Sequence, residues 1–238
     1  MRSDDPELVR EQYATEDGLA TRASLYLHGG SGVDARDVVL AELAEHRPRR
    51  VLEVGCGWGE LAERIGRELV CDVVAVDQSE RMVELARRRG VDARVGDVGS
   101  LGFADGEFDA AVAAWMLYHV RDLDRALREL ARVLRPGGAL VAVTNGAADL
   151  EELWRLVGRD LSDRLLSFRT ETGHEHLSPH FAAVRRRDLV TPVEFRDAST
   201  IRRYVGSSIG GRPYVSEVPE LTDPFVATKV VTVFVATR

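Results

Sequence analysis

Short apolar runs alternate with amphipathic segments through the middle of the chain, between residues 50 and 145. The runs have the length and β-branched content of buried strands, and the segments between them have the spacing of amphipathic helices. Strands are predicted at Val51–Val54, Val73–Val76, Ala93–Val95, Phe108–Ala114 and Ala139–Thr144. Because strands that alternate with helices need crossover connections, the pattern predicts a mainly parallel sheet with helices on both faces.

The flanks of this core have a different pattern. Residues 5–27 have helical spacing and end in a glycine-rich joint at 28–32, and residues 148–166 predict another helix. A polar loop is predicted around 170–180, and the elements after it are predicted at Val184–Phe195, near 198–206 and at Val226–Ala236. The last run is rich in β-branched residues, and we expect it to pair antiparallel beside the strand at 184–195. We expect a cleft with a mobile cover between core and flanks.

The composition describes a globular chain with a full core, since 45% of its 238 residues are hydrophobic and 30% are charged. The net charge, 32 − 39 = −7, disfavours nucleic acid as a partner. The two cysteines, Cys56 and Cys71, are too few for a disulfide framework or a cysteine-built metal site. No window approaches about 18 consecutive apolar residues, and the first residues contain no signal-like run, so we expect no membrane span and a cytoplasmic location.

Three alternate glycines, Gly55, Gly57 and Gly59, stand between the first predicted strand and the first helix of the core. Glycines at this place let a ligand lie against bare backbone amides at a helix N-terminus. A dinucleotide-binding fingerprint would have its third glycine at position 60, which is Glu60 here. Glu53 stands two residues before the loop, where a carboxylate would repel a pyrophosphate and attract a cationic amino group.

Two acids follow the next strands. Asp77 ends the second apolar run, where a carboxylate can accept two hydrogen bonds from a ribose diol. Asp97 follows the third run and can face the same crevice, where it can accept from an adenine amino group. Together these features describe an adenosine joined to a positively charged group without phosphate, and S-adenosylmethionine fits that description.

At this point the sequence resembles the class I S-adenosylmethionine-dependent methyltransferases, and within them the small-molecule group that includes the ubiquinone and menaquinone biosynthesis enzymes. Four motifs carry the resemblance, in order and at family spacing: VLEVGCGWGEL, AVDQSERM, VGDVGSLGFADGEFDAAVAAWMLYHV and LRELARVLRPGGALVAVTNG. Trp58 departs from the family, which usually has a small residue there, so its ring must point out of the loop or narrow the pocket. The resemblance implies a Rossmann-like, doubly wound α/β fold with a seven-stranded, mostly parallel sheet, an antiparallel last strand and helical lid elements.

The resemblance also implies roles for individual residues. The loop from Gly55 to Gly59, including Cys56, would line the methionine moiety, and Glu53 would lie near its ammonium group. Asp77 would hold the ribose, and Asp97 with the backbone of Val98 would hold the adenine. The remaining implied cofactor contacts are Gln78 and Met82 beside the nucleoside and Ala114 and Trp115 near the methionine end. The expected organisation is one methyltransferase domain, with a helical cap at 1–32, a cofactor-binding core at 50–145, acceptor-pocket and lid segments at 148–215 and the final strand at 226–236.

The acceptor side is open to more than one interpretation. His119 either accepts a proton from the acceptor as the methyl group arrives or caps the local loop, and Tyr118 either contacts the acceptor or packs. Tyr13 and Arg22 either close over the cofactor and acceptor or lie on a helix surface. The pattern His174, His176 and His180 permits a transition-metal site, an acceptor pocket or a solvated cover loop, and we expect no metal because methyl transfer requires none.

The sequence therefore predicts a cytoplasmic methyltransferase that acts on oxygen, nitrogen or activated carbon of a small molecule. We expect it to be a monomer or homodimer without nucleic-acid or membrane partners. The arginine clusters 87–89 and 185–187 are interpreted as a helix end and an edge strand. Two alternatives remain, an NAD-dependent oxidoreductase on the same type of sheet and a non-catalytic protein that binds S-adenosylmethionine.

Overall fold

The structure, a computed structural model, describes residues 33–161 and 167–238, together with residues 5, 7, 11–12, 18 and 21–22. Its strands are β1 (Arg50–Val54), β2 (Asp72–Asp77), β3 (Asp92–Val95), β4 (Phe108–Ala114), β5 (Leu134–Asn145), β6 (Ala183–Phe195) and β7 (Phe225–Thr237). Its α-helices are α1 (Ala35–His46), α2 (Glu60–Leu69), α3 (Glu80–Arg88), α4 (Leu123–Val133), α5 (Glu151–Leu156), α6 (Gly173–Leu177) and α7 (Ala198–Gly206). Two 3₁₀ turns lie at Leu117–His119 and Arg212–Glu217.

The strands of the described residues form a single seven-stranded sheet in the order β3-β2-β1-β4-β5-β7-β6. The pairings among β1 to β5 are parallel, while β7 is antiparallel to both of its neighbours, β5 and β6. The order reverses at β1 and β4, where a doubly wound sheet opens its ligand crevice at the carboxyl ends of the strands. The predicted fold class and the antiparallel last strand are confirmed.

The two faces of the sheet bury different side chains because successive residues of a strand point to opposite faces. Leu52 and Phe234 lie in the cluster that packs against α4, which contributes Leu127 and Leu130. Val51 and Val233 lie in the cluster on the other face, which α1 covers with Val39 and Leu43 among others. Burial on both faces explains why the core strands are almost continuously apolar rather than alternating.

Local signals place several elements where the sequence predicts them. The helix α3 begins after Ser79, whose hydroxyl accepts a hydrogen bond of 3.3 Å from the backbone N–H of Met82. It ends before Gly90, which has a φ of 84°. The strand β6 lies at the edge of the sheet, and Arg185, Arg186 and Arg187 are exposed along it, as predicted.

Other elements differ from the predictions. The helix α1 was not predicted, although Asp34 caps it by accepting from the Arg36 N–H at 2.9 Å. The strand β5 begins at Leu134 rather than Ala139, because Arg135–Gly138 bulges out opposite Asp109 and pairing resumes beyond it. The predicted helix at 148–166 forms only as α5, residues 162–166 lying outside the described part of the chain. The polar loop around 170–180 contains the short helix α6.

Two further points concern the flanks. The predicted helix at 5–27 falls mostly on residues outside the described part of the chain, and so does Tyr13. Among the described residues, no helix combines the length and the apolar content that crossing a membrane would need. The predicted division into cap, core and lid stays a prediction.

Candidate functional site

A cavity of about 790 Å³ opens at the carboxyl edge of the sheet. Its wall contains residues at the ends of β1 to β5, and also one residue of β7. It therefore crosses the topological switch point, where open α/β sheets bind their ligands. The predicted site residues in its wall are Arg22, Glu53, Gly55, Cys56, Gly57, Asp77, Gln78, Asp97, Val98, Ala114, Trp115, Tyr118 and His119.

The glycine loop between β1 and α2 has backbone angles and close contacts that disfavour residues larger than glycine. Gly55, Gly57 and Gly59 have φ angles of 67°, 53° and 80°, in the left-handed region that favours glycine. A Cβ atom on Gly55 would lie 2.6 Å from the Cβ atom of Met116, and one on Gly59 would lie 2.7 Å from that of Ala86. The loop thus passes close to the turn after β4 and to α3, and its bare backbone forms the floor of the cavity.

Asp77, the last residue of β2, ties the loop to the next helix. Its Oδ2 atom accepts a hydrogen bond of 2.9 Å from the Gly57 N–H, and its Oδ1 atom accepts one of 2.9 Å from the Ser79 N–H. Burial raises the pKa of the Asp77 carboxyl, and the backbone N–H donors offset part of that effect. Each carboxylate oxygen has a second lone pair, so the fixed carboxylate can also accept from a ligand hydroxyl.

Glu53 lies beneath the glycine loop and is 2% exposed. Burial, reinforced by the nearby charges of Asp77 and Glu60, raises its pKa to about 8. Its Oε2 atom is buried and has no hydrogen-bond partner. A cationic ligand group would stabilise the ionised form of Glu53, because it supplies both a hydrogen-bond donor for Oε2 and a counter-charge.

Asp97 and Val98 follow β3 at the far end of the cavity. The Oδ1 atom of Asp97 accepts a hydrogen bond of 2.7 Å from the Gly99 N–H, which fixes the side chain at the cavity rim. Val98 is 8% exposed and belongs to the apolar core. This end of the cavity thus combines one exposed carboxylate with an apolar wall, a combination that suits a flat heterocycle with an exocyclic amine.

Ala114 and Trp115 connect β4 to the cavity. Trp115 has a φ of 54°, which is a strained backbone conformation for a non-glycine residue. Its N–H donates to the carbonyl oxygen of Val143 at 2.9 Å, and its indole Nε1–H donates to Oδ1 of Asn145 at 3.1 Å. These two bonds hold the turn in place and aim the indole ring across the ends of β4 and β5.

His119 and Tyr118 lie in the 3₁₀ turn that follows Trp115. Their ring centroids are 4.5 Å apart, and the planes are inclined by 63° in an edge-to-face contact. Both side chains line the cavity. The structure therefore brings the candidate proton acceptor into the same space as the loop, Asp77 and Glu53.

Trp58 and Arg22 complete the entrance. Trp58 lines the cavity, and its Nε1–H donates to Oε2 of Glu60 at 3.4 Å, so its ring narrows the pocket instead of leaving the loop. Arg22 also lines the cavity, and one of its guanidinium Nη atoms donates to the carbonyl oxygen of Ser207, next to α7. This bond connects an N-terminal residue with the flanking segment that follows β6.

The structure does not bring three predicted residues into the cavity wall. Met82 is 1% exposed and packs in the core on α3. His174 and His176 lie on α6, away from the cavity, and His180 contacts Oδ1 of Asp124 at 3.0 Å. The described residues contain no group of three or more His, Cys, Asp or Glu side chains placed to hold a metal ion.

Several cavity residues were not predicted. Arg36 of α1 donates to Oε1 of Glu60 at 2.7 Å, and both side chains line the cavity. Tyr204 of α7 and Lys229 of β7 lie in the wall at the other end, near Asn145. The uniqueness of Lys229 as a lysine was visible in the sequence, but nothing local connected it with the glycine loop.

These residues fit the positively charged adenosine cofactor that the sequence predicts. The loop presents bare backbone, Asp77 is a fixed acceptor, and Glu53 presents a buried oxygen without a partner. Glu53 offers no positive charge to a dinucleotide pyrophosphate in either protonation state, which disfavours NAD. The chemistry of this donor and acceptor set is thus that of a cationic nucleoside site.

The comparisons with known proteins agree with this geometry. Residues 52–142 match a family model described as a methyltransferase domain. The chain is 36% identical over 140 residues to a malonyl-acyl carrier protein O-methyltransferase of Pseudescherichia vulneris, a match that covers 56% of this chain and 55% of that protein. It is 36% identical over 137 residues to a ubiquinone biosynthesis O-methyltransferase of Xanthomonas oryzae pv. oryzae, covering 55% of this chain and 57% of that protein. The chain thus spans about half the length of the curated relatives it matches.

A solved structure extends the likeness to the fold as a whole. The S-adenosylmethionine-dependent methyltransferase of Thermotoga maritima superposes with a TM-score of 0.59 over 96% of this chain and 99% of that chain, at 21% identity. At 21% identity, the superposition shows that the folds are alike and no more. The domain match and the two relatives show similarity of sequence. Residues 52–142 thus match the methyltransferase domain family, in agreement with the resemblance of the sequence to the class I S-adenosylmethionine-dependent methyltransferases.

Proposed function

We propose that this protein transfers a methyl group from S-adenosylmethionine to oxygen, nitrogen or activated carbon of a small-molecule acceptor. The observation that carries the proposal is Glu53, a buried carboxylate without a partner on Oε2, beneath a glycine loop that Asp77 fixes. This arrangement suits a cationic ligand group that donates a hydrogen bond, and it occurs in a chain with a methyltransferase domain. The ubiquinone biosynthesis O-methyltransferase among the relatives supports a small-molecule acceptor.

The proposed cofactor contacts follow the ends of the strands. Glu53 and the loop at Gly55–Gly59 hold the amino-acid part, Asp77 holds the ribose, and Asp97 with Val98 holds the adenine. Gln78, Ala114 and Trp115 contribute contacts along the same wall. When bound, S-adenosylmethionine supplies a methyl group on a positively charged sulfur, which becomes a neutral thioether when the carbon–sulfur bond breaks.

The main tasks of the chain in such a reaction are alignment and the exclusion of water. The strained turn at Trp115 and its bond to Asn145 fix the wall where the acceptor would lie. The new bond forms between the acceptor atom and the methyl carbon, and a hydroxyl or amine acceptor then loses a proton. We assign that proton to His119, which faces the same cavity.

The two rival functions make different demands on this site. An NAD-dependent oxidoreductase must hold a pyrophosphate at the loop, where Glu60 replaces the third glycine of the dinucleotide fingerprint and Glu53 supplies no positive charge. A non-catalytic binding protein needs no group such as His119 at the acceptor end. Cytoplasmic location, a monomeric or homodimeric state and the absence of nucleic-acid partners stay predictions.

Calorimetric titration tests the proposal directly. The parent protein is titrated with S-adenosylmethionine, with its demethylated product S-adenosylhomocysteine and with NAD. We expect heat with the first two ligands and none with NAD. A panel of hydroxylated and amino acceptors is then screened for release of S-adenosylhomocysteine, and turnover with at least one acceptor is expected. Binding of NAD alone, or cofactor binding without turnover on a broad panel, would favour one of the rival functions.

A further inference from the structure

Lys229 occupies an unusual position on the sheet. Val231 of β7 pairs with Asn145, the last residue of β5, so Lys229 lies two residues beyond the end of β5, at the carboxyl edge. On the other side of β7 it pairs with Thr191 of β6. Its side chain is 6% exposed and lines the same cavity as the glycine loop.

The Lys229 ammonium contacts the carboxylate of Asp149, which a backbone hydrogen bond holds in place. Oδ1 of Asp149 lies 3.5 Å from the Lys229 ammonium nitrogen and accepts a hydrogen bond of 3.0 Å from the Val230 N–H. Asp149 is 2% exposed, so the pair is buried on both sides. A lysine ammonium has three N–H donors, and it can therefore hold Asp149 and a ligand at the same time.

The residue type adds a second observation. The sequence contains 32 lysines and arginines, and Lys229 is the only lysine among them. Every other basic position uses arginine, whose planar guanidinium binds in a fork, whereas the lysine ammonium is a compact point charge on a flexible stem. Burying a cation is unfavourable unless it has polar partners. A buried lysine in a cavity wall therefore indicates a role in that cavity, which an exposed basic side chain does not.

Along the sheet, Lys229 lies apart from the two buried acids of the cavity. The acids Glu53 and Asp77 lie at the ends of β1 and β2, under the proposed cofactor position. Lys229 lies on β7, beyond β4 and β5 in the sheet, and Tyr204 of α7 lines the same cavity. From β4 to β7 the sheet order gives two strand spacings, which is about 10 Å. This span accommodates a small molecule whose one end reaches the methyl group while its other end contacts Lys229.

We infer that the acceptor carries a carboxylate, and that Lys229 binds this carboxylate while the nucleophilic atom lies at the β4 end of the cavity. The inference rests on the proposed methyl transfer and specifies its substrate class. An ammonium that already contacts the Asp149 carboxylate suits the single negative charge of a ligand carboxylate better than the nearly double charge of a phosphate monoester. Lys229 is thus a specificity-determining residue, which does not act on the reacting atoms.

A purely structural role for the ion pair makes a different prediction. Asp149 also closes the turn between β5 and α5 onto β7, and Leu150 N–H donates to the carbonyl oxygen of Thr228 at 2.8 Å. If the pair only stabilised this turn, its loss would affect charged and neutral acceptors equally. Discrimination between an acid and its own amide is therefore the informative measurement.

The single lysine permits a test on the unsubstituted protein. With S-adenosylhomocysteine at saturation, the ε-amine is acetylated with an N-hydroxysuccinimide ester, and the peptide that contains residue 229 is quantified by mass spectrometry. The probes are hydroxybenzoates and short hydroxyalkanoates, each paired with its amide, and phenyl phosphate. We expect the best acid to slow acetylation at least fivefold while its amide does not. Equal protection by acids and amides, no protection by any acid, or protection by the phosphate alone would overturn the inference.

A variant test measures the effect on catalysis. Lys229→Met should lower kcat/KM for the best acid about 10- to 100-fold, mainly through KM, and leave the amide unchanged. Arg187→Met, which removes an exposed charge from β6, is the matched control and should change neither value. Equal losses for acid and amide would contradict the inference.

The two proposals fail in different ways. If the parent does not bind S-adenosylmethionine in the calorimeter, the proposed function fails. If the parent binds it and Lys229→Met binds it within twofold, but acids and amides behave alike, the function stands and only the carboxylate inference is wrong.

Discussion

The Oδ2 atom of Asp77 accepts a hydrogen bond of 2.9 Å from the backbone N–H of Gly57. The acid proposed to hold the ribose therefore also fixes the loop proposed to hold the amino-acid part of the cofactor. This double role means that a change at Asp77 acts on the preformed shape of the site as well as on a direct contact.

Asp77→Ala should weaken S-adenosylmethionine binding by about 100-fold, because it removes a charge-assisted acceptor for the ligand and releases the Gly57 and Ser79 N–H groups. Calorimetric titration measures the dissociation constant. Asp72→Ala, at the exposed opposite end of β2, is the control and should leave it unchanged. Equal binding by Asp77→Ala and the parent would remove the ribose assignment.

The raised pKa of Glu53 predicts a pH dependence of stability. The unfolded chain ionises this carboxyl near pH 4.5, while the folded protein retains the proton up to about pH 8. The folded state therefore binds more protons between these values, and its stability falls as pH rises through this window, by roughly 5 kcal/mol at most. Urea unfolding of the ligand-free protein between pH 5 and 8 measures this fall.

Glu53→Gln should flatten that slope, because an amide does not titrate. Glu175→Gln, on the exposed side of α6, should retain the slope of the parent. A cationic ligand favours the ionised Glu53, so binding near pH 7 should release a proton, which calorimetry in buffers of different ionisation enthalpy detects. A parent slope that persists in Glu53→Gln would contradict the assignment.

Gly55→Ala and Gly90→Ala separate backbone strain from a steric clash. Both positions have a positive φ, 67° and 84°, so both substitutions should cost about 1–2 kcal/mol of stability. Only at Gly55 does the new Cβ atom also meet Met116, at 2.6 Å, while at Gly90 nothing lies within 4 Å. Gly55→Ala should therefore cost about 1–3 kcal/mol more and impair cofactor binding. Equal losses of stability and unchanged binding in both variants would show that the loop tolerates the displacement.

His119→Gln tests the proposed proton acceptor. If His119 removes a proton from the acceptor, kcat should fall about 10²- to 10⁴-fold, while S-adenosylmethionine binding stays within twofold. Tyr118→Phe alters the ring in edge contact with His119 and should change kcat less than tenfold. Steady-state kinetics with the best acceptor of the screen measures both values. A small effect of His119→Gln on kcat would favour the capping interpretation.

The meeting of the glycine loop and Asp77 in one cavity was predictable because short, local motifs place these residues. A strand, a glycine loop and a helix are consecutive in the sequence, and Asp77 ends the neighbouring strand. The pairing of β1 with β2 is parallel and in register, so residues at the two strand ends become neighbours without any further information. The antiparallel pairing of β7 with β6 was expected from its β-branched composition and terminal position and from the family resemblance, whereas its pairing with β5 was not predicted.

The wall around Lys229 was not predictable because long-range packing assembles it. Lys229 reaches the cavity only because β7 runs past the end of β5, a matter of register that no local pattern encodes. The histidines of α6 looked like a cluster in the sequence, but the short helix holds His174 outward and His180 against Asp124. The sequence signals for the helix α1 are the Asp34 cap and the apolar positions Val38, Val39 and Leu43.

The two sides of the cavity come from different parts of the sequence. Residues 53–98 provide the proposed nucleoside side, whereas the opposite wall combines residues as distant as Arg22, Tyr204 and Lys229. Substitutions in these distant segments can therefore change which acceptor enters the pocket without changing the residues proposed to bind the cofactor. The match to the methyltransferase domain family, at residues 52–142, includes the proposed nucleoside side and none of these three residues.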